Sequence, residues 1–163
     1  MSKLITAALL ASLGSLPAHA ASQAELERGR YLAAIMDCGG CHTPGAAMGK
    51  PDTKRALAGG DIGFAIPGIG TFYPPNLTSD RETGLGAWSA EEVDRAVRKG
   101  MRPDGRELAP AMPWRAYAAM TDADAAALAA YLKSLPAVQA RTPGPFGPTE
   151  APTAPHFTVQ MPK

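Results

Sequence analysis

Apolar positions recur at helical spacing near the start of the chain. Between residues 22 and 36 an apolar stripe repeats every three to four positions, formed by Leu26, Leu32, Ala33 and Ile35. The charged side chains of this stretch fall mostly on the remaining surface, which is typical of an amphipathic helix. Ser22 followed by Glu25 has the spacing of a capping box. The pattern therefore predicts a helix over residues 22–36.

Two further stretches show the same period and carry clear start and stop signals. One begins at Ser89, a good N-cap, with Glu92 placed to complete a capping box and Gly100 as the stop. Its buried stripe is formed by Val93, Ala96 and Val97. The other begins at Thr121 and ends before Pro136. Its apolar face is formed by Ala125, Leu128, Ala129, Leu132 and Leu135.

Between the first two helices, residues 43–88 are mostly irregular and rich in glycine and proline. A stretch of this length without secondary structure is uncommon in a compact domain unless it is functional. A large apolar group wrapped by this stretch would account for it, with a lining drawn from Ile62, Phe64, Ile66, Ile69, Phe72 and Leu77. The apolar spacing over residues 63–72 is close to two, which indicates short strand pairing there.

The chain changes character again after Pro136. Prolines recur at positions 143, 145, 148, 152 and 155, with few large apolar residues between them. This composition predicts an extended tail that either wraps the domain or remains mobile. We therefore divide the chain into a leader over residues 1–20, a domain over residues 21–136 and a tail over residues 137–163.

The leader has the pattern of a secretory signal peptide. Lys3 gives it a positive start, Leu4 to Leu13 form a short apolar run, and Ala18-His19-Ala20 provides small-residue cleavage positions. The run is too short for a bilayer span, which needs about 20 apolar residues. We expect cleavage after Ala20, export to the periplasm and no membrane anchor.

The overall charge balance excludes one class of partner. The chain has 16 basic and 15 acidic residues, a formal net charge of +1. Cleavage after Ala20 would remove one lysine and leave the two signs equal. No strong net charge is available to drive binding to nucleic acid or to an anionic membrane.

The segment Cys38-Gly39-Gly40-Cys41-His42 contains the only two cysteines of the chain. A CxxCH motif is typical of c-type haem attachment. Two intervening residues let one turn of backbone present both thiols to the vinyl groups at the porphyrin edge. The adjacent histidine is then carried under the ring as an iron ligand. The motif predicts one covalently attached haem c, held by Cys38 and Cys41 and ligated by His42.

Other uses of two cysteines fit this segment less well. An exported protein can form a disulfide, and a CxxC pair also occurs in thioredoxin-like redox proteins. The thioredoxin alternative requires a strand–helix context, which residues 22–44 do not show, and it gives His42 no role. A zinc site would need further ligands, and His156 is the only other histidine beyond the leader.

A second axial ligand is expected from a methionine, since Met/His ligation is common in cytochromes c and raises the reduction potential. Met112 is the first candidate, because Pro110 and Pro113 stiffen the loop that carries it between two predicted helices. The alternative is a methionine that only fills a gap in the core. Met101 and Met120 are the next candidates for this ligand, and His156 is a more remote one. Met36 and Met48 lie too close to the CxxCH motif in sequence, and Met161 lies in the tail.

Several short motifs together resemble the class I cytochrome c domains. They are similar in particular to the domains in cytochrome subunits of periplasmic alcohol, sugar-acid and aldehyde dehydrogenases. In chain order, the pieces that carry the resemblance are Cys38-x-x-Cys41-His42, Pro75-Asn76-Leu77-Thr78, Thr83-Gly84-Leu85-Gly86-x-Trp88-Ser89, Arg102-x-Asp104-Gly105-Arg106, Pro110-Ala111-Met112-Pro113 and Tyr131-Leu132-Lys133-Ser134-Leu135-Pro136. They cover most of the chain beyond the leader.

The resemblance implies an all-α cytochrome c fold of about three to four helices wrapped around one haem. It implies His42 and Met112 as the axial ligands and Cys38 and Cys41 as the thioether anchors. The first and last helices should cross near Gly29, with Tyr31 or Tyr131 packed there. Four side chains are expected near the haem, namely Asn76, Thr78, Trp88 and Arg106. Arg102 or Arg106 would pair with a propionate, unless each is a solvated surface arginine.

Three functions remain open at this point. The leading hypothesis is a monohaem electron carrier, not an enzyme, since two axial ligands leave iron no open position for a substrate. Its donor would be a periplasmic dehydrogenase and its acceptor a terminal oxidase or another cytochrome. The second is a haem enzyme or ligand sensor with a displaceable sixth ligand. The third is a subunit whose haem relays electrons inside a stable complex.

Overall fold

The computed structural model describes residues 21–160 and residue 162, so the predicted signal peptide lies outside the described residues. In chain order the α-helices are α1 (Gln23–Ile35), α2 (Cys38–His42), α3 (Ala90–Lys99), α4 (Trp114–Tyr117) and α5 (Asp122–Ser134). The strands are β1 (Gly63–Ile66), β2 (Gly70–Phe72) and β3 (His156–Phe157). Two single 3-10 turns, Ala46–Met48 and Thr53–Arg55, lie within the long irregular stretch.

The three helices predicted from the apolar period are confirmed, and side-chain caps set where they begin. Ser22 Oγ accepts from the Glu25 amide at 3.2 Å, and Thr121 Oγ1 accepts from the Asp124 amide at 3.1 Å. At α3 both halves of the capping box form between Ser89 and Glu92. These bonds satisfy amides that the first helical turn leaves without an internal partner.

The crossing of α1 over α5 is the principal helix contact of the domain. A Cβ atom placed on Gly29 would lie 2.0 Å from the Ala127 carbonyl oxygen and 2.5 Å from the Tyr131 Cβ. Only glycine allows the two backbones to approach this closely. An ion pair between Arg28 and Asp124, 2.8 Å apart, joins the same helices at the surface. Tyr131 packs at the crossing, whereas Tyr31 is 53% exposed.

The apolar core is built where α1, α3 and α5 meet. It is centred on Leu32, Val93, Leu128 and Leu132, all nearly or fully buried. The two short helices α2 and α4 were not predicted, because four or five residues are too few to show a helical period.

The helices agree with the expected all-α fold, and a small three-stranded sheet accompanies them. β1 and β2 form an antiparallel hairpin in which Phe64 lies opposite Phe72, within the stretch where short pairing was predicted. β3 comes from the tail and pairs in parallel with β1, which gives the strand order β2-β1-β3. A two-residue strand with exposed side chains carries no alternating signal, so its pairing had no signature in the sequence.

Of the two courses left open for the tail, the structure shows the one that wraps the domain. Residues 138–157 run along the irregular stretch and return to the hairpin, where β3 is formed. Within the described part of the chain, no helix combines the length and the apolar character that crossing a bilayer requires.

The helix crossing gives a stability prediction. Replacing Gly29 by alanine forces α1 and α5 apart, and we expect unfolding free energy to fall by about 1–3 kcal/mol, as for other overpacked sites. Guanidinium unfolding followed by circular dichroism measures this. Ala34→Ser, at an exposed position of the same helix, is the control and should cost less than about 0.7 kcal/mol. Equal stability of the two variants would contradict the close crossing.

Candidate functional site

The CxxCH motif forms the single-turn helix α2. Asp37, in the left-handed conformation with φ 52°, turns the chain sharply between the end of α1 and this helix. The turn places Cys38 in a buried position and Cys41 in an exposed one, both as free thiols. One helical turn therefore carries both thiols.

His42 is buried and its orientation is fixed by one hydrogen bond. Its Nδ1 lies 2.7 Å from the Pro75 carbonyl oxygen. A carbonyl only accepts, so Nδ1 must carry the proton, and Nε2 is left with its lone pair free. Burial lowers the pKa of His42, although the bond to Pro75 acts in the opposite direction. The site therefore favours a neutral imidazole in the tautomer that can bind a metal ion through Nε2.

Burial also keeps the two thiols protonated in the free protein. It raises the pKa of Cys38 to about 11, and it raises the pKa of the more exposed Cys41 as well, with a contribution from the Asp37 carboxylate. Because the thiolate is the reactive form in disulfide exchange and in metal binding, neither cysteine is activated for such chemistry.

A cavity of about 600 Å³ opens beside α2. This volume is typical of a site for a small molecule or cofactor. Both cysteines and His42 line it, and α3, α5 and the loop before α3 supply apolar walls from Leu85, Val93, Leu128 and Leu132. The CxxCH motif therefore faces a large space beside the helical core.

The predicted lining from the irregular stretch is half correct. Phe64, Phe72 and Leu77 line the cavity, whereas Ile62, Ile66 and Ile69 do not. Ile66 and Ile69 flank the turn of the hairpin, where the Ile69 amide donates to the Ile66 carbonyl at 3.0 Å, and Ile69 is exposed. The turn carries these isoleucines away from the cavity.

Among the candidate sixth ligands, Met112 lines the cavity and is half-buried. Tight hydrogen bonds on both sides hold its backbone, from the Met112 amide to the Ala109 carbonyl at 2.9 Å and from the Trp114 amide to the Met112 carbonyl at 2.8 Å. Met36, two residues before Cys38, also reaches the cavity. The structure thus brings the Met112 loop and His42 to one space.

The other candidate ligands do not line this cavity. Met120 packs against the helical core, Met48 is exposed, and Met101 lies in a bridge opposite Glu107. His156 lies exposed in β3. Met161 lies outside the described residues.

Three of the four side chains expected near the haem line the cavity, namely Asn76, Trp88 and Arg106. Thr78 does not, but it is buried behind the wall and its Oγ1 lies 2.8 Å from Asn76 Oδ1. It supports the wall and does not face the space that the wall encloses.

Two arginines give one part of the cavity lining a positive charge. Arg102 lies over the Trp88 ring, 5.0 Å from its centroid, and contacts Asp104 at 3.2 Å. Burial, and then the neighbouring Arg102, lower the pKa of Arg106. Among the described residues Arg106 forms no ion pair, so its charge is available to an anionic group in the cavity. Haem propionates have that charge, and arginine binds carboxylates in a two-point geometry.

The tail forms one wall of the cavity that was not predicted from the sequence. The tail segment from Arg141 to Pro145 lines the cavity together with the hairpin. No motif or period marked these residues, because the tail lacks a regular pattern. The residues that line the cavity suit a haem. Two thiols and a neutral imidazole lie on one helical turn, the walls are apolar, a loop carries a methionine, and two arginines could bind the propionates.

The comparisons with known proteins point to one family. Residues 26–136 match the family described as Cytochrome c. The chain is 43% identical over 122 residues to a nicotinate dehydrogenase subunit of Pseudomonas putida, a match that covers 75% of this chain. It is 40% identical over 120 residues, 74% of this chain, to the cytochrome c subunit of the quinone alcohol dehydrogenase of Gluconobacter oxydans.

A third similar protein is the gluconate 2-dehydrogenase cytochrome c subunit of Pantoea cypripedii, 41% identical over 133 residues, which is 80% of this chain. The matched segments span only 10%, 23% and 28% of the lengths of these three proteins, in the order given. The similarity is therefore to one part of each longer protein.

Attachment through the two thiols gives a direct prediction. In the Cys38→Ala or Cys41→Ala variant, the remaining thiol should keep haem bound during denaturing electrophoresis, whereas the double variant should lose it. Peroxidase-type haem staining of the gel, compared with total protein, measures this. Haem that stays with the double variant under denaturing conditions would show attachment elsewhere.

Proposed function

This chain belongs to the cytochrome c family, and we propose that it carries single electrons from a periplasmic dehydrogenase to a downstream cytochrome or oxidase. The family implies a covalently bound haem c. Similar proteins include cytochrome subunits of alcohol and gluconate dehydrogenases, which is consistent with electron transfer and not with catalysis. We further propose that the single CxxCH motif of this sequence binds one haem.

The observation that carries the proposal is that His42 and the Met112 loop line one cavity. A bound haem supplies one-electron iron chemistry there. His42 would offer Nε2 as one ligand and Met112 its thioether sulfur as the other. If both side chains bind the iron, neither a substrate nor oxygen would have a free coordination site. The role of the protein would then be to bind the haem, to orient it and to shield it from solvent.

The residues around His42 support this role through rigidity. The bond from His42 to Pro75 holds the imidazole in one orientation and one protonation state. Hydrogen bonds on either side of Met112 hold the second loop. Ligands that keep the same position in both oxidation states of the iron need little rearrangement, which favours fast electron transfer.

The dehydrogenase partner is proposed from the names of the similar proteins, which are cytochrome subunits of alcohol, fructose and gluconate dehydrogenases and a nicotinate dehydrogenase subunit. The reduced protein would pass its electron to a terminal oxidase or to another cytochrome. Anaerobic mixing with a reduced periplasmic dehydrogenase from the same cells tests the donor, with the α-band of the haem as the readout.

The periplasmic location is proposed from the leader sequence. We expect the mature protein in the periplasmic fraction to begin at Ala21, since Ala20 has the small side chain that signal peptidase requires. Intact mass after osmotic-shock release measures this directly. A periplasmic protein that retains residues 1–20, or a haem-loaded protein found only in the cytoplasm, would contradict the proposal.

The sixth ligand gives a prediction that separates a carrier from a haem enzyme. Met112→Ala should keep covalent haem, lower the reduction potential and let the reduced protein bind carbon monoxide stoichiometrically, since loss of the thioether opens an iron position. Met101→Ala, outside the cavity, is the matched control and should not bind it. Rapid carbon monoxide binding by the unaltered protein would favour an enzyme or a sensor, and an unchanged Met112→Ala spectrum would assign the ligand to another residue.

A further inference from the structure

The tail is attached to the domain along a continuous track, and part of it lines the cavity. We propose that residues 137–157, here called the strap, are a functional wall of the haem pocket that keeps water away from the haem and so raises its reduction potential. The inference rests on the proposed function. The strap lies beyond residues 26–136, which match the cytochrome c family.

The first attachment is a set of three side chains, two buried and one half-buried, that form hydrogen bonds with the strap backbone. Asn76 Nδ2 donates to the Val138 carbonyl at 2.7 Å, and the Val138 amide donates to Thr78 Oγ1 at 3.2 Å. The Ala140 amide donates to Thr83 Oγ1 at 3.1 Å. Asn76 is 2% exposed and Thr78 1% exposed. Buried bonds of this kind are costly to leave unmade, so they hold the strap firmly.

The second attachment seals the strap against the outer edge of the hairpin. Thr71 and Phe146 exchange two backbone hydrogen bonds, each 2.9 Å long. The Tyr73 ring meets the Phe146 ring edge-on, with 6.1 Å between centroids. Between the first attachment and this one, the strap passes along the cavity from Arg141 to Pro145.

The third attachment ties the far end of the strap to the opposite edge of the hairpin. Tyr73 Oη donates to the Ala154 carbonyl at 2.6 Å, and the Gly63 amide donates to the Pro155 carbonyl at 2.9 Å. β3 then pairs with β1. Because both hairpin edges are bonded to the strap, the strap and the aromatic residues Phe64 and Phe72 form one wall.

The strap is also coupled to the iron ligand through one peptide bond. Asn76 binds the strap, and the preceding residue, Pro75, accepts the hydrogen bond from His42 at 2.7 Å. Asn76 is therefore a positioning residue. A displaced strap would remove a bond from Asn76 and loosen the loop that fixes the imidazole.

The direction of the redox effect follows from charge and dielectric. The oxidised haem carries one more positive charge than the reduced haem, and a water-excluded pocket disfavours the more highly charged state. Opening the wall admits water and stabilises the oxidised form. The reduction potential should therefore fall when the strap is removed or displaced, because solvent exposure is one of the determinants of haem potential.

The first test is the holoprotein ending at Pro136, which lacks the strap. We expect the equilibrium constant for reduction to fall about tenfold, which for a one-electron couple is about 59 mV. Potentiometric titration of the haem spectrum measures it. A truncated holoprotein with the potential of the full chain would overturn the inference.

A point variant keeps the test decisive if the truncated chain fails to fold. Gly70, with φ 136°, faces the strap, and a Cβ placed on it would lie 2.2 Å from the Phe146 carbonyl oxygen. Gly70→Ala should displace the strap there and lower the potential. Gly68→Ala is the matched control, because Gly68 also has a positive φ, 75°, but has no neighbour within 4 Å of an added Cβ.

Amide hydrogen exchange reports on the strap independently of haem chemistry. The Thr71 and Gly63 amides donate to strap carbonyls. Gly70→Ala should speed exchange at Thr71 about tenfold more than Gly68→Ala does, because the Thr71 amide loses its hydrogen bond to the Phe146 carbonyl. Unchanged protection at Thr71 would contradict the attachment, and faster exchange without a lower potential would overturn the redox role. Absence of a reversible one-electron titration in the unaltered protein would instead refute the proposed function.

Discussion

The backbone contact at Gly29 is the constraint on which the site depends. It lets α1 lie directly on α5, and α2 follows the end of α1 after only two residues. The position of Cys38, Cys41 and His42 is therefore set by how α1 docks. Leu32 on α1 packs in the same buried cluster as Leu128 and Leu132 on α5. One helix interface therefore both stabilises the core and positions the CxxCH motif.

The remaining walls of the cavity are formed by segments without regular secondary structure. Specific side-chain hydrogen bonds hold these segments in place. Asn76 shows how: its amide nitrogen donates to Thr83 and Val138 while its carbonyl oxygen accepts from Thr78. One buried side chain thus ties its own loop to the turn before α3 and to the tail. Such a fully satisfied polar group fixes a single arrangement, because any alternative would leave a buried donor or acceptor without a partner.

The parts of the fold that could be predicted from the sequence depend on contacts between residues close together in the chain. Ser22, Ser89 and Thr121 marked three helix starts because capping is a contact over three residues. The resemblance to cytochrome c domains implied the crossing at Gly29 and placed Met112 among the haem ligands. Met112 lines the cavity as the ligand assignment requires, and the assignment itself stays a prediction.

The parts that could not be predicted depend on contacts distant in sequence. Phe146 pairs with Thr71, and β3 pairs with β1, across more than 70 residues of chain. The proline-rich tail has no hydrophobic periodicity from which such pairing could be predicted. The misplaced Ile66 and Ile69 have a related cause. Alternation predicted the hairpin correctly but did not show where its turn would leave the cavity.

The unequal burial of the two cysteines gives the molecule a direction. Cys38 is enclosed, whereas Cys41, three residues later on the same turn, is exposed. A group attached to both would be held by one sulfur inside the protein and by the other at its surface. An electron leaving through that sulfur would cross only a few covalent bonds.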